Sequence, residues 1–263
     1  MTDSVGPWAA EKHERLKKYI DAYRSARAMF LPPRGAGGAA YIDLFSGPGR
    51  SQLEDTGEFI DGSPLVAYKA AQQSGTRFSD LHFNDLETDN VSALRQRIIR
   101  LGGTANYYNE TASTAVDRVV FALNPSGLHF AFLDPYNLEN LPFSVIERLA
   151  KLPRMDMLIH VSIFDLQRNL RRYLEDGRVL DAFMPGWQRK IDIKRNDQIV
   201  RAALLHHWLD LIRGLGTSPA DGIELVSATR GQRLYWLVFV SAHELGRKLW
   251  NDIRNVHVQG RLL

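Results

Sequence analysis

Between residues 39 and 162 five short apolar runs recur: AAYIDLF (39–45), SDLHFN (79–84), TANYY (104–108), LHFAFL (128–133) and MDMLIHVS (155–162). Each gap between them has helical spacing. Strands alternating with helices build a parallel, doubly wound sheet with right-handed crossovers. After residue 162 the rhythm changes, and 164–215 reads as helical with a break around MPGW (184–187). Two further strands, GIELVSA (222–228) and RLYWLVFVSA (233–242), are separated by a few residues that include Gly231. So short a connection joins only antiparallel neighbours. A last helix is expected over 243–256. At the front, WAAEKHERLKKYIDAYRSARAMF (8–30) repeats apolar residues at helical spacing, and LPPRGAGGAA ends it with two prolines and three glycines. SGPGRSQLEDTGEFIDG reads as a long loop, closed by Ser63 as an N-cap with Pro64 at the first helical position. Helices 64–74, 88–101, 112–123 and 142–151 complete the alternation. The expectation is one domain over 1–263, with a helix and linker over 1–38 and a helical insertion (164–215) between the fifth and sixth strands.

Bulk properties narrow the function classes. The chain of 263 residues is 44% hydrophobic and 24% charged, as in ordinary globular proteins. It has no cysteine, which removes disulfides, thiolate metal sites and thiol nucleophiles. No apolar run suits a signal peptide or a membrane span, so a bacterial-type cytoplasm is expected. The net charge of +3 is uneven: from Lys151 onward there are 18 Lys+Arg against 12 Asp+Glu, and before it 15 against 18. A basic second half suggests a polyanionic partner. The densest basic region, RNLRRYLEDGR followed by MPGWQRK and IDIKRND, offers Arg168, Arg171, Arg172, Arg189, Lys190, Lys194 and Arg195 as nucleic-acid contacts. Tyr173 and Trp187 there could stack on bases; the plainer reading is a solvated helical face with Trp187 in the core. There is no GxxxxGK[ST] and no GxSxG, and the histidines are not at metal spacing.

The chemistry-bearing residues fall at strand ends, where parallel sheets bind ligands. YIDLFSGPGR puts Asp43 inside an apolar strand and Gly47 and Gly49 just beyond it, where the backbone can approach a ligand closely. It resembles motif I of S-adenosylmethionine (SAM) methyltransferases, where the acidic strand residue holds either the loop or the methionine amine; Phe45 belongs to the same stretch. HFNDLETD ends the second strand with Asp85, and Glu87 in reserve, as acceptors for ribose hydroxyls. YYNETAST ends the third with Asn109 and Glu110, where methyltransferases read the adenine amine; capping by Thr111 explains that stretch equally well. HFAFLDPYNL ends the fourth with Asp134, Pro135 and Tyr136. It resembles the (D/N/S)-P-P-(F/Y) tetrapeptide of amino-methyltransferases, lacking the second proline. The resemblance implies Asp134 as acceptor for a target N–H and Tyr136 as a stacking ring, with contact between Asp134 and the SAM amine as the other possibility.

Taken in order, W-x3-KHERLKKYIDAY, YIDLFSGPGR, IDGSPLVA, HFNDLE, AFLDPYNL, PRMDMLIHVS and FVSAHELGRKLWNDI resemble the three-Cys-motif partner (TcmP) proteins over nearly the whole chain. The resemblance implies a Rossmann-like, seven-stranded class I methyltransferase fold, mostly parallel with a terminal antiparallel hairpin, and a three-Cys-motif, radical-SAM-like partner. Two positions depart: Asn109-Glu110 stands where Gly-Asp is expected, and His243-Glu244 where His-Pro is. The functional expectation is a SAM-dependent methyltransferase acting on nucleic acid. The alternative is a catalytically inactive relative that binds DNA, RNA or a protein. A nuclease with Asp43, Asp85 and Asp134 around a divalent cation is a third reading, which the glycine loop disfavours.

Overall fold

The computed structural model describes residues 2–6, 8–220, 224–227 and 233–259. In chain order the elements are β1 (Asp3–Val5), α1 (Trp8–Ala22), α2 (Arg24–Ala28), β2 (Ala39–Asp43), β3 (Arg50–Leu53), β4 (Phe59–Asp61) and α3 (Ser63–Gln73). Then come β5 (Asp80–Asn84), α4 (Thr88–Arg100), β6 (Asn106–Tyr108), α5 (Ala112–Ala122), β7 (Leu128–Leu133), α6 (Phe143–Ala150) and β8 (Met155–Ser162). The chain continues with α7 (Ile163–Asp176), α8 (Arg178–Phe183), α9 (Asp197–Gly214), β9 (Ser218–Pro219), β10 (Glu224–Ser227), β11 (Arg233–Ser241) and α10 (Glu244–Gln259).

The main sheet runs β10-β11-β8-β7-β2-β5-β6, with β9 paired to β11. β6, β5, β2, β7 and β8 are parallel, and β11 is antiparallel to both β8 and β10. This is a Rossmann-like, mostly parallel α/β sheet closed by an antiparallel hairpin, as the alternation predicts. β2 and β7 are buried along their whole length because helices cover both faces. One face packs α5, α6 and the insertion α7–α9 through residues such as Ile42, Ala131, Ile146, Leu166 and Trp208. The other packs α1, α3, α4 and α10 through Tyr19, Tyr41, Ala67, Leu94 and Trp250.

The order also fixes where a ligand belongs. The chain lays β5 and β6 to one side of β2, then returns to lay β7 and β8 on the other. The switch point lies between β2 and β7, where Asp43 pairs with Phe132, and the crevice beyond their carboxyl ends is the ligand position in such sheets.

Several expectations are corrected. The segment 50–62 is not a plain loop: β3 and β4 form a hairpin, and β1 pairs parallel with β3, making a second, three-stranded sheet. The helix expected over 8–30 is two helices that meet at Tyr23. Ser63 does not cap α3, whose N-cap is Gly62; Ser63 is its first residue and turns its hydroxyl to Asp43. Gly231 and the rest of the hairpin turn lie outside the described residues. Thr111 caps α5 as read, accepting a bond from the backbone N–H three residues on, and Ser162 and Asn196, which the sequence reading did not single out, do the same for α7 and α9. Gly177, at φ 74°, separates α7 from α8.

Candidate cofactor crevice

Asp43 is fully buried at the end of β2. Ser63 Oγ donates to it at 2.6 Å, the Phe45 N–H at 3.2 Å and Tyr41 Oη at 3.3 Å. Of the two roles expected for this carboxyl, its bonds fit loop holder: it ties the glycine loop to the start of α3. Burial pushes it up to about 7, only partly offset by the bonds from Ser63 and Phe45. Gly47 and Gly49 have φ of 55° and 79°, which side chains other than glycine rarely adopt. A Cβ on Gly49 would meet Leu94 Cδ1 at 2.6 Å.

The next two strand ends join the same crevice. Asp85 accepts the Gly47 N–H at 2.9 Å, the Glu87 N–H at 2.9 Å and Asn90 Nδ2 at 3.0 Å. Glu87 is the N-cap of α4 and its side chain is exposed. Asn109 Nδ2 donates to the backbone oxygens of Asp85 and Leu86, so Asn109 shapes that turn. Asn84, which the sequence reading missed, ties the strand ends together: its amide donates to Leu44 O and Glu110 O at 3.0 Å each and accepts from the Glu110 N–H. Glu110 pairs through Oε1 with Arg118, and its Oε2 is buried with no partner. An orphaned buried acceptor at the end of β6 and two positive-φ glycines beyond β2 suit an adenosyl ligand whose amine needs an acceptor.

At the end of β7 lies a cluster that sequence reasoning did not find. Lys12 Nζ donates to Asp134 Oδ2, and His160 Nδ1 lies 3.2 Å from Oδ1, close but not aligned as a hydrogen bond. Burial pushes the Asp134 carboxyl up, but Lys12, His160 and His13 outweigh it and hold it below its ordinary value. His160 is itself pushed down to about 4 by burial despite Asp134, and His13 to about 4 by burial and Lys12. Tyr235 stacks at a tilt on His160, with centroids 4.4 Å apart. Signals for both partners exist in the sequence. Lys12 precedes Leu16, Tyr19, Ile20 and Tyr23 at helical spacing, so a lysine stands on the buried face of α1. In MDMLIHVS the residues Asp156, His160 and Ser162 alternate with apolar ones, a polar stripe on one face of β8. Tyr136 projects into solvent at 91% exposure.

Asp3, in β1, reaches the glycine loop. A Cβ on Gly47 would lie 2.6 Å from Asp3 Oδ2, so the Asp3 carboxyl rests against the glycine loop. Burial and the neighbouring Asp85 push Asp3 up to about 6, with Arg97 opposing.

The basic residues of the insertion lie away from these contacts. Arg168, Arg171, Arg172, Arg189, Lys190, Lys194 and Arg195 are all exposed; Arg171 pairs with Asp197 and Arg195 with Asp192. Tyr173 and Trp187 are buried, bonded to Asp165 and Asp181 respectively, so neither ring is available for stacking. Among the described residues no group of three or more metal-ligating side chains gathers, and no helix is long and apolar enough to cross a membrane.

No family model and no curated protein matches the chain. The resemblance to the three-Cys-motif partner proteins therefore rests on its motifs. Among solved structures, the chain is similar to protein LPL1258 from Legionella pneumophila (family model DUF519), at 10% identity over 90% of both chains and a TM-score of 0.48. It is also similar to the N-methyltransferase NodS from Bradyrhizobium japonicum, solved with S-adenosylhomocysteine (SAH), at 11% identity over 90% of this chain and 89% of that one, TM-score 0.45. A third is the methyltransferase domain of bacterial CtHen1-C, at 12% identity over 88% and 99%, TM-score 0.45. At these values the fold assignment rests on the strand order.

Proposed function

We propose that this chain is a SAM-dependent methyltransferase whose cofactor lies in the crevice beyond β2, β5 and β6 and whose methyl acceptor is presented at Asp134 and Tyr136. The observation that carries the reading is the buried, partnerless Glu110 Oε2 at the end of β6, beside the strand end whose Asp85 accepts the Gly47 N–H. Bound SAM would supply an electrophilic methyl group on a sulfonium sulfur. The chain's own residues would do the rest by positioning. Gly47 and Gly49 would admit the ligand close to the backbone, and Asp85, with a lone pair to spare, would accept from a ribose hydroxyl. Glu110 would accept from the adenine amine. Asp134 would accept from the target N–H, and the exposed ring of Tyr136 would lie over a planar substrate. A base amine in DNA or RNA suits that pair, with the exposed cations of α7 and the 189–195 segment contacting phosphates. The three-Cys-motif partner and a cytoplasmic setting belong to the same proposal.

A second reading, a methyltransferase-like protein without catalysis, is favoured by one observation: Lys12 already occupies the Asp134 oxygen that a target amine would need.

Isothermal calorimetry with SAH tests the first reading. The wild-type chain is expected to bind with a Kd below about 1 mM, and Glu110→Leu, which removes the free acceptor, about tenfold more weakly. No uptake of SAH at millimolar ligand by either the wild-type chain or Asp3→Ala, which clears the glycine loop, would end the methyltransferase reading.

A further inference from the structure

Two charged contacts at the ends of β2 and β7 come from residues near the start of the chain. Asp3 sets its carboxyl against Gly47, and Lys12 sets its ammonium on Asp134. An amino-acid ligand brings the same two groups, a carboxylate and an ammonium, and these positions, the glycine loop and the acceptor at the end of β7, are where the proposed cofactor and substrate would meet the protein. We infer that the Asp3 carboxyl and the Lys12 ammonium together act as a built-in pseudo-ligand, an autoinhibitory plug that the cofactor must displace. This inference rests on the cofactor reading above.

The plug is weakly held at one end and firmly at the other. β1 is three residues long and, among the described residues, pairs with β3 alone, itself part of the small sheet outside the main one. Beyond that pairing it gains the Glu54 N–H to Val5 O at 3.0 Å and an exposed Ser4 Oγ–Glu54 Oε1 bond at 3.3 Å. The ordering entropy of three residues is comparable with what so few bonds return. The neighbouring Asp85 carboxyl raises Asp3 there, and Arg97 acts on Asp3 in the opposite sense. α1, by contrast, is fixed in the core by Leu16, Tyr19 and Ile20, all at 0% exposure. Displacement therefore means β1 peeling from β3 and the Lys12 side chain turning away, with α1 in place. A ligand competing with such a plug binds more weakly by the fraction of molecules that are open.

Two variants test it: deletion of residues 2–5, and Asp3→Ala in the intact chain. Both are expected to bind SAH about tenfold more tightly than wild type. Hydrogen exchange should show Ser51–Leu53 losing protection in the deletion while β2 and β7 keep theirs. Binding by the variants where wild type shows none would support the inference most strongly. If wild type binds SAH and both variants bind equally or more weakly, the segment is a wall of the site and the inference is overturned while the methyltransferase reading stands. Loss of protection throughout β2 and β7 in the deletion would overturn it in the same way. If none of the three proteins binds, both fall together.

Discussion

The buried titratable groups set opposing pH responses. His13, His82 and His160 are each held near 4 by burial, below the ordinary value of 6.5. Between about 6.5 and 4 the unfolded chain takes up protons that these imidazoles refuse, so their contribution to stability is present above that window and lost as pH falls through it. Asp3 and Asp43, raised to about 6 and about 7, act in the other direction: the folded chain keeps protons that the unfolded chain has lost, and that contribution fades as pH rises. His82 isolates the first effect, since it lies at the β5–β6 pair with Nδ1 2.9 Å from Tyr108 Oη. Replacing it by Asn, which can keep a polar partner for Tyr108, should reduce the stability lost between pH 7 and pH 4.5 by about 2 kcal/mol, as read from urea unfolding at both values. At this scale the strand-end carboxyls were legible in the sequence because a charge inside or just after an apolar run stands out. Lys12, His13 and His160 were not read, since their meeting with Asp134 joins segments far apart in the chain. The lysine on the apolar face of α1 was the available sign.

Among elements, α2 shows how much an ordinary-looking residue can hold. Arg27 is fully buried, donating to Thr76 O at 2.9 Å, Ile20 O at 3.0 Å and Ser74 Oγ at 3.1 Å, with its guanidinium 4.4 Å from the Phe78 ring centroid. It fastens the first two helices to the end of α3. Arg27→Ala leaves three acceptors without that donor and a cavity beside Phe78, and should cost about 3–5 kcal/mol by chemical denaturation. Arg27→Lys should recover only part of this, because an ammonium lacks the planar fork. In the sequence Arg27 reads as one more cation on a helix, and only the fold reveals its partners. The small sheet was missed for a related reason. DSV, RSQL and FID are short and mostly polar, so nothing in their pattern competes with the glycines and prolines around them. The insertion was legible because its long apolar repeats, such as Leu204, Trp208, Leu209 and Ile212, keep helical period over several turns.

For the whole molecule, topology was the easiest property to read. Five strands separated by helices leave few arrangements, and a hairpin too short to cross over forces the last strands antiparallel. That order alone places the crevice between β2 and β7 and brings Asp43, Gly47, Asp85, Glu110 and Asp134 round it from four strand ends. Whether those residues receive a ligand was not legible, because the side chains that contact Gly47 and Asp134, those of Asp3 and Lys12, come from ahead of the main sheet in the chain. The most direct test of the central claim is a crystal structure grown in saturating SAH. The account predicts adenosyl density between Gly47 and Glu110, with the Asp3 carboxyl displaced from the glycine loop. SAH bound elsewhere on the molecule, or a crevice still filled by Asp3 and Lys12 at saturating ligand, would contradict it.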